Sequence, residues 1–256
     1  MVKNQGNNKK ADIKKDIKDE VDMFYREKET NLRSQQAVID TFTFKEFEPK
    51  NEKQKLLLNK IKSNEIIFVS GPAGTGKTMV AIKAALELLK SKNCPIDKIL
   101  ISKPIVEAAE EIGFLPGNIE MKIDPYMNSY HQNFNKLIGE GSTKKLMDSG
   151  VIKSVPLAYM RGETFTDTIA ILDEAQNTTF LGLKLFLTRK DENSKLIIIG
   201  DMDQVDLKLK YGEINALEDA FKRFKGISNI SFIEFTEEDI VRSTILIEIL
   251  KRYKTK

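Results

Sequence analysis

Residues 66–78 read IIFVSGPAGTGKT, a short apolar run that leads into a glycine-rich loop and the start of a helical pattern. The loop matches G-x-x-x-x-G-K-[ST], with the strand before it and the helix after it that this phosphate-binding motif requires. Glycines let backbone N–H groups wrap a phosphate chain, and the helix adds the positive end of its dipole. The sequence therefore predicts a nucleotide site at Gly71, Pro72, Ala73, Gly74, Thr75, Gly76, Lys77 and Thr78.

Two side chains of this loop are expected to have separate tasks. Lys77 should reach the β- and γ-phosphates of ATP, and the Thr78 hydroxyl should ligate Mg²⁺. The alternative is an ordinary glycine turn with a surface lysine. The predicted cofactors are therefore ATP and Mg²⁺.

Strands and helices alternate from residue 50 onward. Short apolar runs predict strands at 66–70, 98–102, 168–172, 195–199 and 229–235. Helical periodicity predicts helices at 77–90, 179–188, 213–224 and 238–253. Continuous apolar runs are typical of strands buried on both faces of a parallel sheet. The pattern predicts a doubly wound α/β fold.

Residues 1–48 differ from the rest and are predicted to form an N-terminal arm. Its charged first part carries a narrow apolar stripe of Ile13, Ile17, Val21 and Phe24, which either lies against the body or docks on a neighbouring subunit. Apolar and polar residues alternate over 38–47, which predicts a strand. Residues 49–256 are predicted to form the α/β domain, with an insertion at about 104–165.

Paired acids follow another apolar run. Ile169-Ala170-Ile171-Leu172 ends in Asp173 and Glu174. A carboxylate in this position holds Mg²⁺, the role we assign to Asp173, and Glu174 would then act as general base on the attacking water. The alternative is that the acids simply begin a helix, where its dipole favours them.

Two glutamines are further candidates. Gln204 ends the string Gly200-Asp201-Met202-Asp203-Gln204 and could hydrogen-bond the γ-phosphate or its attacking water, although a polar turn would also explain it. Gln54 lies upstream of the loop, and a glutamine amide can pair with the N6/N7 edge of adenine. A solvated helical glutamine is the alternative for Gln54.

Composition excludes several classes of protein. Forty-one basic residues against 38 acidic ones give a net charge of +3, so any nucleic-acid surface must be local. One histidine and one cysteine exclude a His/Cys metal site and an internal disulfide. No apolar run approaches membrane-spanning length, and the N-terminus lacks a secretory h-region. We therefore expect a cytoplasmic protein with no membrane contact.

The motifs together resemble the PhoH family of P-loop ATPases, which are related to superfamily-one helicases. The helicase-like pieces are the phosphate loop, Asp173-Glu174-Ala175-Gln176 and the string at 200–204. More specific PhoH-like strings are KPIVE (103–107), GFLPG (113–117), DPY (124–126), PLAYMRG (156–162), FLTR (186–189) and DIVR (239–242). The resemblance runs from about residue 49 to 253.

This resemblance implies a single RecA-like ATPase domain and supports Gln54 as the residue that contacts adenine. Ser243 stands where the family commonly has a histidine, so no role is carried over to it. Some relatives carry a PIN-type ribonuclease domain. We expect none in these 256 residues, so nuclease activity is not carried over either.

An arginine is expected to stabilise the charge that develops on the γ-phosphate. Related helicases supply it from a second RecA-like domain, for which 256 residues are too few. We therefore expect a neighbouring subunit to supply it, in a homo-oligomer with ATP at the subunit interfaces, and relatives form hexameric rings. The candidates are Arg189 first, then Arg242 and Arg161; Arg189 could instead stabilise a helix C-terminus.

The helicase-like order of motifs predicts coupling of ATP hydrolysis to RNA or single-stranded DNA. Candidate contact residues are Lys103, which precedes the insertion, and Lys122, Tyr126 and Arg161 within it; they offer charge and an aromatic face to a single strand. The insertion offers Tyr130, Phe134 and Tyr159 as further stacking candidates. The alternative for each of these aromatic residues is the core of the insertion. The alternative to nucleic-acid coupling is an ATP-driven switch or assembly protein that acts on a protein partner.

Overall fold

The computed structural model describes residues 32–104, 119–160, 162, 164–206 and 215–241, with the isolated residues 23, 29, 30, 245 and 252. For residues 119–126 it describes the backbone alone. The arm's apolar stripe lies outside the described residues, as does most of the helix predicted at 238–253.

Six strands form one sheet in the described part of the chain. They are β1 (Ile66–Ser70), β2 (Lys98–Ser102), β3 (Ile152–Ser154), β4 (Thr168–Leu172), β5 (Lys195–Gly200) and β6 (Ile230–Glu234). Their order is β3-β2-β4-β5-β1-β6, and every pair is parallel. The predicted α/β class with a parallel sheet is confirmed.

Helices connect the strands and cover both faces of the sheet. Residues 32–41 are helical (α1), followed by α2 (Glu52–Ser63), α3 (Lys77–Leu89), α4 (Ile119–Ile138), α5 (Glu140–Asp148), α6 (Phe180–Leu187) and α7 (Ala216–Arg223). Side-chain oxygens of Asn51, Thr179 and Asn215 accept backbone N–H groups at the starts of α2, α6 and α7. These caps explain why the three helices begin where they do.

Alternate residues of the central strands feed two apolar layers. Ile197 and Ile199 pack with α2 to α5 on one face, whereas Leu196 and Ile198 pack with α6 and α7 on the other. All five residues of β4 are buried. Burial on both faces explains the uninterrupted apolar runs in the sequence.

The parallel sheet brings the carboxyl ends of its strands to one edge, where ligands bind in open α/β folds. The phosphate loop connects β1 to α3 at this edge. The paired acids follow β4, and the loop at 200–206 follows β5, which lies between β1 and β4. The three predicted site segments are therefore neighbours.

The strand predicted over 38–47 is wrong. Residues 32–41 are helical, and residues 42–49 contain no strand. The Phe42 ring is buried and that of Phe44 is partly buried, with the Lys83 ammonium 3.5 Å from the centre of the Phe44 ring. The alternating aromatic residues thus anchor this segment on the core.

The insertion has more regular structure than its sequence suggested. It contributes α4 and α5 and a short strand, β3, that extends the sheet beside β2. No helix among the described residues is long and apolar enough to cross a membrane.

Candidate active site

The phosphate loop has the backbone geometry that its glycines predict. Gly71 has φ +140°, and a Cβ there would lie 2.5 Å from the carbonyl oxygen of Phe235. Gly76 has φ +80°, and a Cβ there would lie 2.7 Å from Nε2 of Gln54. Both positions therefore need glycine, for close approach as well as for φ.

Lys77 lies inside this loop. Its ammonium donates hydrogen bonds to the carbonyl oxygens of Gly71 and, at 2.9 Å, of Pro72. Burial lowers the pKa of Lys77, whereas nearby carboxylates, that of Asp201 first, favour its charged form. The ammonium also donates to the Thr75 hydroxyl at 3.5 Å. A cation held by neutral oxygens is suited to exchange them for phosphate oxygens.

Thr78 and Asp173 meet across the loop. The Thr78 hydroxyl donates a 2.8 Å hydrogen bond to Oδ2 of Asp173, and the backbone N–H of Glu174 donates to Oδ1 at 3.0 Å. Burial, together with the neighbouring charge of Glu174, raises the pKa of Asp173 to about 6. A bound cation would favour the ionised carboxylate and so offset the cost of ionising a buried Asp173.

These donors fit Mg²⁺, which prefers oxygen ligands and usually takes only one or two carboxylates plus phosphates and water. Thr78 and Asp173 would hold it. Among the described residues, no group of three or more His, Cys, Asp or Glu side chains is placed to hold a metal ion. The protein thus offers few oxygen ligands, and the phosphates of a nucleotide, with water, would supply the others.

Glu174 is held in an unusual backbone conformation. Its φ of +55° is left-handed, which is costly for a residue other than glycine and tends to occur at functional sites. Its carboxylate accepts a 2.8 Å hydrogen bond from Nε2 of Gln176, whose Oε1 accepts the backbone N–H of Asp201 at 2.9 Å. Gln176 therefore links the predicted general base to the loop that follows β5.

Sequence reasoning missed this role of Gln176 and that of the next residue. Asn177 exchanges two hydrogen bonds with Asp206, of 2.9 and 2.8 Å, which ties the same two loops together a second time. The available signal was the pair of amide side chains directly after two acids. Gly200 permits this packing, since a Cβ there would lie 2.7 Å from Oε1 of Gln176.

The two glutamines predicted as site residues lie in different environments. Gln204 is exposed on the loop after β5, and Gln176 rather than Gln204 contacts Glu174. Gln54 is buried: its Nε2 donates to the Thr75 carbonyl at 2.9 Å, and its Oε1 accepts the Lys50 N–H at 2.8 Å. Gln54 therefore braces the phosphate loop, and its contact with adenine stays a prediction.

Arg189 lies at the opposite edge of the sheet. It follows α6, and its carbonyl accepts the backbone N–H of Phe165, a residue that precedes β4. Its side-chain Nε is buried and has no hydrogen-bond partner among the described residues. Arg161 and Arg242 lie outside the described residues.

The predicted nucleic-acid residues are only partly placed. Lys103 follows β2 at the carboxyl edge, where its carbonyl accepts the N–H of Leu157. Lys122 and Tyr126 lie in the backbone-only part of α4.

Tyr130, which the sequence offered as a stacking residue, lies in the hydrophobic core instead. It lies on α4 with a side chain that is only 3% exposed, too buried to stack on a nucleic-acid base. Burial, followed by the charges of Asp173 and Glu174, raises the pKa of Tyr130 well above its usual value.

The loop has the glycine geometry of a phosphate site, and its Thr78 hydroxyl bonds the carboxylate that follows β4 in the same parallel sheet. These features place the chain among the P-loop nucleotide-binding proteins. The comparison with sequence families is more specific. Residues 46–254 match the family of PhoH-like proteins, and the chain belongs to that family. The predicted family and the α/β fold with a parallel sheet are confirmed.

Relatives align over most of this chain. It is 45% identical over 193 residues to a PhoH-like protein of Bacillus subtilis, which covers 75% of this chain and 59% of that protein. It is 37% identical over 206 residues to protein PhoH of Escherichia coli K12, which covers 80% of this chain and 57% of that protein. The chain thus spans less than two thirds of the length of these relatives.

Among solved structures, the UvsW helicase of bacteriophage T4 is similar at a TM-score of 0.44 and 15% identity, over 75% of this chain and 61% of that one. Likeness at this level carries no argument about activity.

Proposed function

We propose that this protein hydrolyses ATP with Mg²⁺ as its metal. The observation that carries the proposal is the convergence of Lys77, the Thr78–Asp173 pair and Glu174 at one edge of the sheet. Each is a group that nucleoside-triphosphate hydrolysis requires, and together they bind phosphate, hold a metal and accept a proton.

The residues divide the reaction between them. Lys77 would exchange its loop carbonyls for the β- and γ-phosphates. Thr78 and Asp173 would hold Mg²⁺, which would supply charge neutralisation. Glu174 accepts a proton from water as the water oxygen bonds to the γ-phosphorus and the bond to ADP breaks. Gln176 fixes the direction in which the Glu174 carboxylate points.

Glu174→Gln should lower the rate of ATP hydrolysis by about 10³-fold while ATP binding changes little, because the amide cannot accept the proton from water. Steady-state phosphate release and equilibrium binding of a fluorescent ATP analogue measure the two quantities. Glu46→Gln, at an exposed position, is the matched control. Hydrolysis at the rate of the unaltered protein would remove Glu174 from the mechanism.

We further propose a head-to-tail homo-oligomer, with a hexameric ring as the expected form. Arg189 lies at the amino edge of the sheet and the phosphate loop at the carboxyl edge, and a head-to-tail contact brings such opposite edges of two copies together. Arg189 of one copy would then complete the site of the next.

We propose RNA or single-stranded DNA as the molecule that stimulates hydrolysis. The support is the family's helicase-like motif order and the position of Lys103 at the same edge as the nucleotide loop. The second candidate is a switch that acts on a protein partner, which the net charge of +3 favours.

Single-stranded RNA and DNA oligonucleotides should raise the ATPase rate severalfold at low salt, and the stimulation should fall as salt increases because phosphate contacts release counterions. ATPase assays across a salt series, with and without each oligonucleotide, measure this. A protein that neither binds nor responds to either polymer, while still hydrolysing ATP, would favour the switch.

A further inference from the structure

The segment that follows β6 returns to the phosphate loop. Residues 236–241, which we call the strap, begin with a capping box in which Oδ2 of Asp239 accepts the Thr236 N–H at 2.8 Å. The strap reaches the loop at Val241, whose backbone N–H donates to the Gly74 carbonyl at 3.1 Å. The strap therefore bonds directly to the middle of the phosphate loop.

Two consecutive carbonyls of the phosphate loop are held by elements outside the loop. Val241 of the strap bonds that of Gly74, and the Gln54 amide of α2 bonds that of Thr75 at 2.9 Å. In a trans peptide unit, the C=O of one residue and the N–H of the next point in opposite directions. The two bonds therefore direct the N–H groups of Thr75 and Gly76 away from α2 and the strap, as the cradling of a phosphate requires.

Asn51 joins the two elements that hold the loop. As the N-cap of α2, its Oδ1 accepts the Gln54 N–H at 2.8 Å, and its Nδ2 donates to the Asp239 carbonyl of the strap at 3.1 Å. Serine or aspartate would cap a helix as well as asparagine does. Capping therefore explains only the oxygen of this side chain, and the bond to the strap explains its NH₂ group.

We propose that Asn51 is a positioning residue for phosphate binding, which aligns α2 with the strap so that Gln54 and Val241 orient the loop before a nucleotide arrives. This inference rests on the proposed nucleotide site. Donors that are already oriented bind phosphate without the cost of ordering the loop. The Lys53 ammonium also links α2 to the end of β6, through the Glu234 carbonyl at 2.9 Å. Loss of the Asn51 bond should therefore misalign the strap and not detach it.

The test uses Asn51→Ser, which keeps an N-cap oxygen, adds no charge and removes the amide donor. The probes are ATP and inorganic tripolyphosphate, each with Mg²⁺, and isothermal titration calorimetry measures their affinities. Because one hydrogen bond is lost, both dissociation constants should rise by about three- to tenfold. The two losses should be equal, because the oriented N–H groups bind phosphate and not the base.

Hydrogen exchange provides a readout that needs no nucleotide. In Asn51→Ser the Val241 N–H should exchange severalfold faster, because the strap that holds it against the Gly74 carbonyl has lost a support. The N–H of Leu57, inside α2, should keep its protection because the helix keeps its cap. A general loss of stability would instead speed the exchange of both groups.

Asn59→Ser is the matched control, because Asn59 is an exposed asparagine on the same helix, and it should leave both affinities unchanged. Val241→Pro removes the strap N–H itself, and Ile240 already has the ψ of 121° that a residue before proline adopts. If Asn51 acts through the strap, adding Asn51→Ser to Val241→Pro should weaken tripolyphosphate binding by less than about twofold.

Unchanged tripolyphosphate affinity in Asn51→Ser, or the same loss in the Val241→Pro background, would overturn the inference. A loss for ATP alone would also overturn it, because Asn51 would then act on the nucleoside and not on the phosphates. Each of these results leaves ATP binding by the unaltered protein intact. Absence of ATP and tripolyphosphate binding by the unaltered protein would instead refute the proposed nucleotide site, and the inference with it.

Discussion

The Lys77→Ala variant should lose about 10⁴-fold in kcat/KM for ATP, through weaker binding and through lost stabilisation of the transition state. The Lys77 ammonium is the cation bonded to the phosphate loop itself, through the carbonyls of Gly71 and Pro72. Because it is buried, its charge acts on phosphate with little screening by water. Alanine removes that charge and leaves the glycine backbone in place.

Binding of a fluorescent ATP analogue and steady-state phosphate release should both reveal the loss. Lys92→Ala removes an exposed lysine beyond the end of α3 and should behave as the unaltered protein does. Circular dichroism should match that of the unaltered protein, as the check that the variant is folded. A folded Lys77→Ala protein with unimpaired turnover would refute the nucleotide site as a whole.

The strands that the sequence predicted best are those buried on both faces. β1, β2 and β4 have the predicted bounds, since their apolar runs are continuous and stop at polar or turn-forming residues. β3 was not predicted because it is three residues long and only Ile152 is buried. A short edge strand leaves too few apolar positions to form a pattern.

Site residues, like strands, were predictable where neighbouring positions in the sequence carry the pattern. Gly71, Lys77 and Thr78 are adjacent in a motif whose spacing is set by the phosphate chain, so sequence alone identifies them. Tyr130 is buried on α4, and the charges of Asp173 and Glu174 raise its pKa, a proximity that no motif spacing encodes. In the sequence it is one more large side chain on a buried helix face.

The alternation of aromatic and polar residues over 42–47 led to the wrong prediction of a strand for a related reason. Alternation reports which side chains are buried, not which backbone groups pair. Here Lys45 bonds to the end of α4 instead of to a strand.

Arg189→Ala should lower the ATPase rate by about 10³–10⁵-fold while ATP binding and assembly persist, if this arginine stabilises charge on the γ-phosphate. Within one chain Arg189 and Asp173 lie at opposite ends of β4, which is about 16 Å long at the usual rise per residue. Arg189 therefore acts on a second copy or not at all. Arg33→Ala, at an exposed position of α1, is the matched control.

Mixing two inactive variants tests whether Arg189 acts across an interface. In a co-assembled ring, a Lys77→Ala subunit still presents Arg189 to a neighbour, and an Arg189→Ala subunit still has a complete phosphate loop. Random equal mixing should make about a quarter of the interfaces competent, so activity should return to about that fraction. Light scattering measures the mass of each assembly with and without ATP. Mixed assemblies that remain inactive would exclude Arg189 from the reaction, as would an Arg189→Ala protein with full turnover. The burial of its Nε would then be a matter of packing at the end of α6.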